Sequence, residues 1–88
     1  MGRYTKVKER ILSGTSDRNI DFTEICQLLI RLGFNERIKG SHHIFTKNNV
    51  VEIINLQPRG NKAKPYQVKQ IRDILVKYRL GEHDVDQV

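Results

Sequence analysis

The chain has 88 residues, 38% of them hydrophobic and 30% charged, and a formal net charge of +6. That length holds one small domain, which buries about 60–65% of its unfolded surface, and the composition is that of a globular rather than a disordered chain. A single cysteine, Cys26, excludes an internal disulfide; the longest apolar run, Leu28-Leu29-Ile30, is too short for a membrane span, and no signal-peptide pattern opens the sequence. Together these point to a soluble protein of a reducing cytoplasm.

Taken in order, the first element is a short helix over Thr5 to Leu12, with Val7 and Ile11 one turn apart; Gly14 stops it and residues 15–19 form a polar connector. Asp21 and Glu24 have capping-box spacing at the head of a second helix, in which Phe22, Ile25, Cys26, Leu29 and Leu32 recur at helical intervals. Gly33 stands where a left-handed residue ends such a helix. A strand opens over Arg37 to Lys39, and two more, His42 to Lys47 and Val50 to Leu56, flank Asn48-Asn49, a pair that tolerates the positive φ of a tight turn. Gln57 to Lys64 is a loop. Pro65 suits the first turn of a last helix, whose stripe is Val68, Ile71, Leu75 and Tyr78; Gly81 closes it. The order α-α-β-β-β-α predicts an α+β fold: a three-stranded antiparallel sheet with helices on one face, like a double-stranded-RNA-binding α-β-β-β-α domain with an extra N-terminal helix.

Charge is unevenly spread. Arg59, Lys62, Lys64, Lys69, Arg72, Lys77 and Arg79 face one acid, Asp73, between residues 59 and 80, which accounts for the whole net excess. Such a concentration is an electrostatic footprint for nucleic acid, and equally the ordinary charge of a solvated helix face.

The chemistry-bearing stretch is Lys39-Gly40-Ser41-His42-His43-Ile44-Phe45. Histidine titrates at roughly pH 6.5 and can exchange protons near neutrality. Strand alternation separates the pair: His43 travels with Phe45 toward the core edge, and His42 points outward. Alternation also argues against a shared metal ion, and no run of Cys, His, Asp and Glu supplies a four-ligand set. Cys26, in an apolar helical stripe, is a poor nucleophile, and no nucleotide-cradling glycine motif is present. One imidazole is enough for RNA, which carries its own nucleophile in the 2′-hydroxyl; a base takes that proton while a cation stabilises charge at phosphorus. Gly40 permits close approach of a phosphate backbone, Lys62 and Lys64 precede a helix N-terminus, and Ser41 either donates to substrate or shapes the strand entry.

With these residues in view, the chain resembles the HicA toxin family of bacterial toxin–antitoxin systems over Phe22 to Leu80. The matching features are the helix end Leu32-Gly33-Phe34, the segment Arg37 to Phe45 containing Gly-Ser-His, and the basic loop Gly60-Asn61-Lys62-Ala63-Lys64-Pro65-Tyr66 before the closing helix. The resemblance implies a metal-independent messenger-RNA endoribonuclease of the bacterial cytoplasm. It also implies a HicB-like antitoxin that covers the active face, with the histidine after Gly-Ser, His42, as the catalytic group. Two departures stand out. Many members carry Pro-x-His after the third strand and Gly-Thr-Leu at the last helix, where this chain reads Leu56-Gln57-Pro58-Arg59-Gly60 and Lys64-Pro65-Tyr66; and the N-terminal extension, Thr5 to Asn19, is absent from the shortest members.

The expectation is therefore one domain over 1–88: a helical extension at 5–14, a core at 21–80 and an acidic tail at 81–88. His42 is assigned catalysis, and Lys39, Gly40, Ser41, Lys62, Lys64, Lys69 and Arg72 are assigned RNA contacts; no metal, cofactor or membrane is expected, and the free protein is expected to be a monomer. The rival reading is a non-catalytic RNA-binding module of the same fold.

Overall fold

The computed structural model describes residues 2–82. Three helices and one sheet follow the expected order: α1 (Arg3–Ser13), α2 (Phe22–Arg31), β1 (Asn35–Lys39), β2 (His42–Lys47), β3 (Val50–Leu56) and α3 (Pro65–Lys77). The expected tail from 83 onward, with His83, lies outside the described residues. Among the described residues no helix is long and apolar enough to cross a membrane.

Helix α1 is part of the core rather than an appendage. Val7 and Ile11, the pair spaced one turn apart, are both buried, Ile11 completely. Arg72 of α3 donates to the Ile11 carbonyl (3.1 Å) and reaches Asp17 with both terminal nitrogens (2.9 and 3.2 Å), tying α1 and its following connector to the last helix.

The expected capping box of α2 does not form. Asp21 is the N-cap residue but makes no side-chain cap bond; its carboxylate accepts from Lys62 Nζ instead, at 2.9 Å. An ion pair to a distant loop wins over a local cap here. The other end behaves as expected. Gly33, at φ 100°, lets its own N–H reach the Ile30 carbonyl and the Phe34 N–H reach Leu29 (both 3.0 Å), which satisfies two terminal carbonyls.

The sheet is antiparallel in the order β1-β2-β3. Lys39 pairs directly with His42, so Gly40-Ser41 is a two-residue hairpin turn. Gly40 has φ 61° while Ser41 has not left the negative side, the pattern of a type II′ turn with glycine first. Asn48-Asn49 makes the second hairpin, with Asn49 at φ 71°. Between the pairs Lys47–Val50 and Phe45–Ile54, β2 advances two residues and β3 four. Two extra residues bend the strand yet keep its alternation, so no side chain changes face.

Phe45, Ile54 and Leu56 are fully buried on one face of the sheet, against Ile25, Leu28 and Leu29 of α2 and Val68, Ile71 and Leu75 of α3. The opposite face carries His42, Ile44 and Asn55 and no helix. Val51 and Ile53 on that face are 87% and 62% exposed.

Candidate active site and RNA interface

His42 opens β2 on the uncovered face, and its side chain is exposed. Its Nδ1 lies 3.0 Å from Asn55 Oδ1 on β3. A carbonyl oxygen only accepts, so this contact selects the tautomer in which Nδ1 donates; in the neutral ring Nε2 is then the nitrogen with the free lone pair. That is the tautomer a general base needs. Lys39 stands opposite His42 in the register, so the two side chains share this face with Cβ atoms roughly 4.5–5.5 Å apart. Arg37 is on the same face, two residues earlier.

His43 turns the other way, as strand alternation requires. Its ring meets Phe22 edge-on at 4.9 Å and its Nδ1 pairs with Glu36 Oε2 at 2.8 Å. The two histidines are therefore separated by the sheet.

Ser41 shapes the strand entry. Its Oγ accepts from Gln57 Nε2 (3.0 Å), and Gln57 Oε1 in turn accepts from Lys64 Nζ (3.4 Å). With its amide turned to the orientation that satisfies both groups, the buried Gln67 holds the Gln57 backbone, donating to its carbonyl (3.3 Å) and accepting from its N–H (3.2 Å). A chain of hydrogen bonds thus runs from the hairpin turn beside His42 to the ammonium of Lys64 at the head of α3. Gly40 serves the turn itself: a Cβ there would meet no atom within 4 Å, so its positive φ, not crowding, calls for glycine.

The loop before α3 is stiff. Arg59 and Lys62 exchange backbone hydrogen bonds (2.9 and 3.0 Å), while Asn61 and Ala63 bond to Phe22 and Ile20 (3.0 and 2.9 Å). Arg18, Arg59 and Lys62 line a small concavity beside Pro65.

The basic segment is less cationic in space than in sequence. Lys62 pairs with Asp21, Lys69 with Asp73, Arg72 with Asp17 and Lys77 with Glu52, and Arg79 lies 4.0 Å from Glu82. Arg59 and Lys64 have no acidic partner among the described residues. Arg72 ties α3 to α1 and its following connector, and its hydrogen bond to Asp17 raises the guanidinium's pKa further. Lys69, in the second turn of α3, pairs with Asp73 and lines a groove with Glu52 and Tyr66. The structure brings together His42, Lys39, Gly40, Ser41 and Lys64. Asn55 and Gln57 were missed by sequence reasoning. A signal for Asn55 existed: alternation along β3 puts this lone polar side chain on the outward face, whichever hairpin register is adopted.

Tyr78 and Glu52 lock α3 to β3 at the other end of the sheet. The phenol donates to Glu52 Oε1 (2.6 Å) and accepts from the Val51 N–H (3.2 Å). Hydrogen bonds from Tyr78 and then Lys77 hold the Glu52 carboxyl down at about 2. Burial, with a smaller contribution from Glu36, pushes the Cys26 thiol up to about 12, which removes it as a nucleophile near neutral pH.

No curated protein and no solved structure matches the chain. A family model described as the HicA toxin of bacterial toxin–antitoxin systems matches residues 22–77, which spans α2, the whole sheet and α3 and contains the Gly40-Ser41-His42 turn with its Asn55 and Lys64 partners. On that match, covering well over half of its length, the chain belongs to the HicA toxin family.

Proposed function

We propose that this chain is a messenger-RNA endoribonuclease that uses His42 as its one proton carrier and no metal at the scissile bond. Membership of a family of generally mRNA-cleaving toxins supplies the substrate class. The observation that carries the residue assignment is the His42–Asn55 hydrogen bond, which leaves an accepting Nε2 on an open face opposite Lys39. In this reading Nε2 takes the proton of a 2′-hydroxyl, and the oxygen forms a bond to the adjacent phosphorus. The bond from phosphorus to the 5′-oxygen breaks, and that oxygen leaves with a proton returned by the imidazolium or by water. The products are a 2′,3′-cyclic phosphate and a 5′-hydroxyl. Lys39 and Lys64 stabilise the charge that builds on the phosphoryl oxygens, and Lys62 and Arg59 extend the phosphate track along the loop. DNA lacks the 2′-hydroxyl and resists the same site.

The family implies a HicB antitoxin. A partner that covers the His42 face would bury Val51 and Ile53, the two most exposed apolar side chains of the uncovered sheet face; the toxin free of it is a monomer in this reading. The test is cleavage of single-stranded RNA by purified protein in EDTA, with His42→Ala beside it. Cleavage that depends on His42 supports the assignment. Intact RNA with a salt-sensitive gel shift would instead make the chain an RNA-binding module.

A further inference from the structure

On the helix side of the sheet, three side chains from three elements converge: Cys26 of α2, Glu36 of β1 and His43 of β2. One ligand-type atom from each lies within 4.8 Å of the other two. The positions are ten and seven residues apart in sequence and sit on three different elements, so the fold brings them together. We propose that Cys26, Glu36 and His43 form a structural site for a single divalent zinc-class cation, held by one sulfur, one nitrogen and one oxygen.

The donor set is the first argument. Thiolate, imidazole and carboxylate are the three side-chain types that zinc takes, and a mixed set favours a borderline-soft cation over magnesium or calcium. Geometry is the second. Tetrahedral zinc at its usual bond lengths needs donor atoms roughly 3.3–3.8 Å apart. The Nδ1–Oε2 separation of 2.8 Å has to open slightly and the 4.8 Å envelope has to close, both within the reach of side-chain rotation. Access is the third: Cys26 is buried, while the His43 and Glu36 side chains keep 24% and 22% of their surface, which leaves a side for entry and for a water as fourth ligand. On binding, the sulfur bonds to the cation and its proton leaves to solvent. Without metal, the Glu36–His43 hydrogen bond closes the site. The cation lies across the sheet from the His42 imidazole, so this inference is independent of the nuclease reading and no reaction step passes through it.

The test is binding of zinc alone to the metal-stripped full chain, followed by cobalt substitution. One zinc per chain is expected, with a Tm higher by at least about 4 °C at saturating metal. Cobalt is expected to give the near-ultraviolet sulfur-to-metal band and the visible bands of a tetrahedral site. Cys26→Ser abolishes the sulfur band, and His43→Gln and Glu36→Gln, at half-exposed positions that tolerate change, each weaken zinc at least tenfold. Absence of stoichiometric zinc in the wild type, or zinc held equally well by Cys26→Ser and His43→Gln, overturns the proposal and leaves the cluster as an ion pair over a buried thiol.

Discussion

Replacing Asn55 with leucine isolates the contact that, in the proposed mechanism, orients the exposed His42 imidazole as a base. The side chain is exposed on the open face of the sheet, and the hydrogen bond from His42 Nδ1 at 3.0 Å is the one its amide makes in the site. Leucine keeps the volume and removes the acceptor. Fold stability should stay within about 0.5 kcal/mol of wild type, because no buried group loses a partner. The imidazole, however, becomes free to rotate and to hold its proton on either nitrogen. A neutral hydrogen bond is worth about 0.5–1.5 kcal/mol net, which corresponds to a roughly two- to tenfold lower kcat, with KM little changed because leucine adds no charge to the face. Asn55→Asp should restore kcat, since a carboxylate also accepts from Nδ1, while raising KM by placing a negative charge beside the RNA backbone. The assay is steady-state cleavage of a single-stranded RNA labelled with a fluorophore and quencher, in EDTA. A leucine variant with wild-type kcat, or an aspartate variant no better than leucine, would refute the orienting role.

Other perturbations separate the fold from the site. Arg72→Ala should lower stability by about 1–2 kcal/mol in urea unfolding, since it strips the Ile11 carbonyl and Asp17 of their partner, yet leave RNA affinity at saturating folded protein unchanged; a selective loss of RNA binding would return Arg72 to the interface. Gly40→Ala should cost about 1–2 kcal/mol, because the added Cβ has room but φ 61° is strained for an L-residue; Gly40→Asn should cost less, and the Tm order of glycine, asparagine, alanine checks it. Glu52 titrates at about 2 when folded, below its ordinary value of 4.5. Its contribution is therefore complete above about pH 4.5 and is lost as pH falls toward 2. Tyr78→Phe, which removes the largest cause of that depression, should raise the midpoint of acid unfolding, and an unmoved midpoint would count against the Tyr78–Glu52 lock.

Most of the architecture was legible because local signals agreed with one another. Gly33, Pro65 and the Val68-Ile71-Leu75 stripe each act as their spacing predicts, and alternation along β2 assigns His42 and His43 to opposite faces. What sequence could not give was pairing across distance. Asp21 and Glu24 looked like a local cap, but Lys62, 41 residues away, takes the Asp21 carboxylate. The cations of residues 59–80 looked like an RNA-binding surface; three of the seven, Lys62, Arg72 and Lys77, meet acids from other elements. Gly40, expected to leave room for a phosphate, is also the first residue of a hairpin turn. Alternation put Asn55 on the outward face, but its pairing with His42 needed the strand register, and Cys26, Glu36 and His43 share no motif at all; the fold brings them together.

Catalysis by His42 is open to a direct test. Purified His42→Ala, shown to be folded by an unchanged Tm, should cleave single-stranded RNA in EDTA at least about 10²-fold more slowly than wild type, the lower bound for loss of a positioned general base. It should still bind RNA with similar affinity and salt dependence. A variant that degrades RNA at the wild-type rate would contradict the account and place the chemistry elsewhere on this chain.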